Sequence, residues 1–174
     1  MKKILKVLLV VVGLFVLLFA GCVFMMFRPI ITVIHASTSQ EYANKVGTTN
    51  LMFPASARNI SYASSCVGMG GRAHIFRFDG PLEDCKEFAR QRYALYARQV
   101  YGNTTNYPPV EIIPLVGFPE DPRQLLRKSY GLKDLEWFDY QGITNGLTVA
   151  QPRSHIPTIW IDVDRSAFYE YWTD

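Results

Sequence analysis

The stretch "RAHIFRFDGPLEDCKEFARQRYALYARQVYG" (Arg72–Gly102) joins the two patterns that decide the fold. Its first part alternates. His74, Phe76 and Phe78 share one side of an extended chain, while Ala73, Ile75 and Arg77 share the other. Its second part changes period. Leu82, Cys85, Ala89, Tyr93, Tyr96 and Val100 recur at steps of three or four, with Phe88 beside them, which is one apolar stripe of a helix. Asp79 or Gly80 serves as the cap, Pro81 sits where a first-turn proline is tolerated, and Gly102 closes the helix. Glu83 and Asp84 suit the positive end of the helix dipole. Arg90, Arg92 and Arg98 fall mainly on the other faces.

Upstream, "NISYASS" (Asn59–Ser65) is a second strand candidate. The glycine cluster "GMGG" (Gly68–Gly71) turns it back onto Arg72–Gly80. This cluster joins two strands, whereas a phosphate cradle opens a helix. Downstream, "NTTNYPPVEIIPLVGFPEDP" reads as a proline-rich loop. "DPRQLLRKSYG" (Asp121–Gly131) has an aspartate cap, a proline at the first position and a terminal glycine, so it predicts a short helix. Three strand candidates follow: Gly146–Gln151, Pro157–Val163 and Ala167–Thr173, with Asp164–Ala167 as a tight turn. The predicted order is ββα, loop, α, βββ. Strands grouped rather than alternating with helices predict an α+β fold, an antiparallel sheet with one or two helices on one face.

The N-terminal segment reads differently. Val7–Phe27 carries no charge, and fifteen of its 21 residues are Leu, Val or Phe. As a helix it covers roughly 31 Å, close to the bilayer core of about 30 Å. It predicts a single-pass transmembrane signal anchor in residues 1–28. A stalk over 29–52, with a short helix at Gln40–Val46 capped by Ser39, then leads to an α+β domain over 53–174. Lys2, Lys3 and Lys6 place the N-terminus in the cytoplasm and the domain in the periplasm or outside the cell, with the lipid bilayer as a partner. Two alternatives stay open. "FAGC" resembles a lipobox, which makes Cys22 a lipidation candidate, although Phe19 and the apolar "VFMMF" depart from that pattern. A cleaved signal is the other.

Setting aside the three N-terminal lysines leaves 15 basic and 15 acidic residues. Nucleic-acid binding needs a basic surface, so none is expected. Cys66 and Cys85 are the candidate disulfide pair of an oxidising compartment. A bridge would add about 3 kcal/mol. A regular hairpin separates the two thiols by roughly 23 Å, and the Cα atoms of a bridge approach within about 7 Å. The alternative is two buried thiols. His35, His74 and His155 have no metal-ligand spacing, so no metal or other cofactor is expected. Ser154 beside His155 is no nucleophile–base pair. Asn59 and Asn103 head sequons that read as incidental.

Two functions compete, beside a third reading as a purely structural small membrane protein with no ligand. The first is a binding or accessory module engaging another envelope protein or ligand through an aromatic surface of Trp137, Tyr140, Tyr169, Tyr171 and Trp172. The second is a hydrolase-like envelope enzyme using Asp162 and Asp164, with Asp139 and Asp79 as further carboxylates. The turn beside Asp162 and Asp164 is also where aspartate occurs for backbone reasons, so no catalytic residue is assigned.

Overall fold

The computed structural model describes residues 2–26, 28–47, 51–68, 71–102, 109–118, 121–150 and 157–173. The elements in chain order are α1 (Lys2–Met26), β1 (Pro29–Thr38), α2 (Ser39–Val46), β2 (Arg58–Val67) and β3 (Arg72–Asp79). They continue with α3 (Leu82–Tyr101), β4 (Ile112–Pro114), α4 (Pro122–Tyr130), β5 (Gly146–Val149), β6 (Thr158–Asp162) and β7 (Ala167–Thr173). All strands join one antiparallel sheet in the order β1-β2-β3-β7-β6-β5-β4. The α+β class and the antiparallel sheet therefore match the sequence expectation.

Four parts of that expectation are corrected. The first concerns the membrane. Among the described residues, no helix is long and apolar enough to cross a bilayer. The single-pass anchor is overturned, and the extracytoplasmic placement built on it falls too. Cys22 lies exposed on α1.

The second correction concerns the linker. Residues 29–38 are not a stalk but β1, which pairs along its length with β2, from Pro29 opposite Val67 to Thr38 opposite Arg58. The apolar "IITVI" is an edge strand whose partner lies some thirty residues away. Thr38, not Ser39, caps α2, accepting from the Glu41 amide at 3.2 Å. α2 also covers the end of the sheet edge. Lys45 Nζ donates to the His35 carbonyl at 2.7 Å, and the Ser37 amide donates to the Glu41 carboxylate at 2.7 Å.

The third correction concerns the proline-rich loop, which contains β4. This is the opposite edge strand, where a proline such as Pro114 removes no ladder bond that the sheet needs.

The fourth correction concerns the layers. Helices cover both faces of the sheet. On one face α3 and α2 pack on Ile60, Phe76, Phe78, Ile159, Ile161 and Phe168. On the other, α4 and the segment from Leu132 to Ile143 bury Ile75, Trp160 and Tyr169. The cause is visible in β6 and β7: "TIWID" and "AFYEYW" carry large apolar residues at both parities, and neither parity can be left wet.

Local chemistry accounts for the helix ends. α4 starts at Asp121, whose carboxylate accepts from the Arg123 amide at 3.0 Å. It stops at Gly131, which adopts φ +67°, a left-handed conformation that glycine takes at no steric cost.

Candidate functional site

Alternation and register bring one set of side chains into rungs on the α3 face. The first rung is Ile30, Cys66 and Arg72; the second is Thr32, Ser64, His74 and Trp172; the third is Ile34, Tyr62, Phe76 and Glu170. α3 crosses over the third rung and leaves the first two open. The result is a groove of about 610 Å³, roofed on one side by Leu95 and Tyr96 and closed at its far end by Tyr42, Val46 and Leu51. A volume of this size is ordinary for a small-molecule site.

The floor of the groove is a buried polar network. Arg92 and Tyr96 are four residues apart, so they share one face of α3. Glu170 is fully buried and sits diagonally across β3–β7 from His74. Arg92 Nε donates to Glu170 Oε2 at 2.8 Å, and Arg92 Nη2 donates to Oε1. His74 Nε2 lies 3.0 Å from the same Oε1, and Arg92 Nη2 also donates to the Tyr96 hydroxyl at 3.1 Å. The Arg92 guanidinium stacks over the Tyr96 ring at 4.9 Å and the Phe76 ring at 5.5 Å.

The electrostatics follow. Burial pushes the Glu170 carboxyl up, but the Arg92 charge, the Arg92 hydrogen bonds and His74 outweigh it, so the group stays below the ordinary carboxylate range. Burial works against the Arg92 charge too, and Glu170 more than offsets it, raising Arg92. Tyr96 is raised by burial and then by the Glu170 charge. An ionised carboxylate only accepts, so the Nε2 of His74 carries the proton. That leaves Nδ1 as the ring's remaining hydrogen-bonding atom, and among the described residues it has no partner. The ring is stacked against Trp172 at 5.3 Å, and its side chain is 15% exposed to the groove.

Charge is unevenly placed. Arg92 and Glu170 neutralise each other, and among the described residues no Asp or Glu lines the groove. Arg72 stands exposed at its mouth, and among the described residues no carboxylate lies within salt-bridge distance of it. The apolar flanks are solvent-facing: Ile30 is 72% exposed and Leu95 42%.

The residues singled out from sequence are scattered instead. Tyr140 and Tyr169 are core residues of the α4 face, with Tyr140 stacked on Trp160 at 4.5 Å. Trp137 is half-buried on that face, its ring 6.0 Å from His35. Tyr171 borders a separate hollow beside α4, lined by Asp121, Lys128 and Trp160. Trp172 alone of the five faces the α3 groove. The structure does not bring them to one surface.

Asp162 is buried and accepts from the amides of Asp164 and Arg165 at 3.1 and 3.0 Å. Asp164 accepts from Asn145 and Thr144. Both carboxylates hold the β6–β7 turn and the chain beside it. Asp79 accepts from Arg77 and Asn59, and Asp139 faces Arg165 at 3.6 Å. Asn59 sits at a register shift in β2 with φ +49°. His35 bonds Ser61 at 2.9 Å. Among the described residues no cluster of three metal-ligating side chains occurs. Ser154, His155 and Asn103 lie outside the described residues.

Cys66 and Cys85 are both free thiols. Cys66 lies on the first rung and lines the groove, whereas Cys85 is fully buried at the start of α3 and donates to the Gly80 carbonyl at 3.5 Å. Burial, and then the charges of Asp84 and Asp79, push the Cys85 thiol up to about 12. A maleimide at pH 8 is therefore expected to label Cys66 in the folded chain. It should modify Cys85 at least about 100-fold more slowly than in the denatured chain, because both the thiolate and access are lacking. Equal labelling of Cys85 in both states would place it outside the core.

Sequence reasoning missed Arg92 and Glu170, and the expectation that Arg92 lies on an outer face is corrected. Two signals were present. Phe88, Arg92 and Tyr96 are spaced by four, and Glu170 interrupts an otherwise apolar strand. No family model matches the chain, and no curated protein and no solved structure matches it either.

Proposed function

We propose that the chain is a small-molecule binding module whose site is the groove between α3 and the first strands of the sheet. One observation carries this: a buried, mutually satisfied network of Glu170, Arg92 and Tyr96 holds His74 in one tautomer, with its other nitrogen lacking a partner among the described residues at the floor of a groove walled by Trp172. Such an arrangement fixes a polar contact in place before a ligand arrives, which lowers the cost of binding. It favours recognition over chemistry, because the Asp162–Asp164 pair is engaged in its turn.

A neutral probe tests the site itself. In the full chain, 4-phenylbutan-1-ol is expected to shift the Trp172 indole and His74 ring signals in nuclear magnetic resonance spectra, saturably. Leu95→Trp, which fills the groove from a partly exposed helix position, should abolish those shifts. Shifts confined to Trp160 and Tyr171, or shifts indifferent to Leu95→Trp, would move the site away from this groove.

A further inference from the structure

The three rungs differ in chemistry, and their order points to a ligand class. The first rung carries a cation, Arg72. The second carries the Thr32 and Ser64 hydroxyls and His74. The third, where Arg92 covers Glu170, offers the groove Ile34 and Tyr62, with Tyr42 beyond them. From Cys66 to Tyr62 is four residues of strand, about 13 Å at 3.3 Å each. We infer that the groove takes a small amphipathic carboxylate, its head at Arg72 and the hydroxyl rung, its tail lying between Trp172 and Leu95 toward Tyr42. This rests on the groove being the binding site.

Charge bookkeeping selects the head group. Arg92 is neutralised within the floor, so it attracts no second anion strongly. Among the described residues Arg72 has no carboxylate partner, and no acidic side chain lines the groove to favour an amine. One guanidinium matches one carboxylate through paired N–H donors, whereas a phosphate dianion calls for more positive charge than this rim supplies. His74 Nδ1 adds a hydrogen-bonding position beside the head. The tail end supplies what a head-group site alone does not. Ile30, Leu95 and Trp172 are apolar surfaces left partly in water, and covering them gives roughly 25 cal/mol per Å².

The test uses three molecules with one shape and different charge: 4-phenylbutyrate, 4-phenylbutan-1-ol and 4-phenylbutylamine. Each is titrated into the full chain while Trp172 and His74 are observed. Phenylbutyrate is expected to bind at least about tenfold more tightly than the alcohol, the scale of one charge-assisted contact, with the amine weakest. Arg72→Gln should bring phenylbutyrate down to the alcohol's affinity and leave the alcohol unchanged. Arg72→Lys should retain part of the preference. Arg72 is exposed, so neither variant threatens the fold. Equal affinities for acid and alcohol, or an acid preference that survives Arg72→Gln, would overturn the carboxylate assignment while leaving the groove as a binding site. If none of the three perturbs Trp172 or His74, the groove itself is not the site, and the assignment fails with it.

Discussion

Glu170→Ala is expected to destabilise the fold by about 3–5 kcal/mol, seen as a lower urea midpoint with an unchanged slope. The loss does not measure the attraction between Glu170 and Arg92. It measures what remains behind: a guanidinium whose side chain is only 8% exposed, held by α3 among Phe76 and Tyr96, with no counter-charge. Removing both charges tests this. The double variant Arg92→Met with Glu170→Leu fills the same space with apolar atoms and should recover most of the loss, because desolvating the pair offsets much of its Coulomb energy. A single variant costing under 1 kcal/mol would mean that Arg92 escapes to water. The pH dependence has a definite sign. The folded-state pKa of Glu170 lies below its unfolded value, so its contribution is complete above the ordinary carboxyl range and declines as pH falls through the folded pKa. Acid should therefore weaken the wild-type chain more steeply than the double variant.

Trp160→Ala is expected to cost a comparable amount, about 3–5 kcal/mol. Trp160 projects from β6 away from α3. It is fully enclosed by Tyr140, Phe138 and the α4 side of the sheet. Had helices covered one face only, this residue would be a surface aromatic and its removal nearly neutral. Phe168→Ala serves as the matched comparison from the opposite face, where it stacks with Phe76 and Phe78, and the same range is expected. A loss below about 1 kcal/mol for Trp160→Ala alongside a large one for Phe168→Ala would return the fold to a two-layer arrangement.

Much of the frame was legible in the sequence because it is local. The switch from alternation to a 3.6 period at Asp79–Leu82 sets β3 and α3, and Asp121, Pro122 and Gly131 bracket α4 through caps that act within a turn. What escaped depends on partners distant in the chain. β1 resembles a tether because an edge strand has one neighbour and a partly wet surface, and that neighbour begins only at Arg58. β4 is three residues long and exists only through β5. The second helical layer was hinted at by the two-faced aromatic pattern of "AFYEYW", but a pattern that suits either an exposed strip or a second core does not choose between them. The site was the least visible. Arg92 belongs by spacing to a buried stripe and by charge to a wet face. Only Glu170, 78 residues later, decides for the interior.

β7 occupies the centre of the sheet, hydrogen-bonded to β3 on one side and β6 on the other, yet it is the last of the seven strands in chain order. During translation the strands of each flank emerge complete but have nothing to join them, since β3 and β6 are not neighbours. The suture between the two half-sheets waits for residues 167–173, and those same residues deliver Glu170 to Arg92. Until then the nascent chain carries a guanidinium without its counter-ion and two unzipped borders, a state that invites chaperone capture and makes the acquisition of the ligand groove coincide with closure of the whole fold.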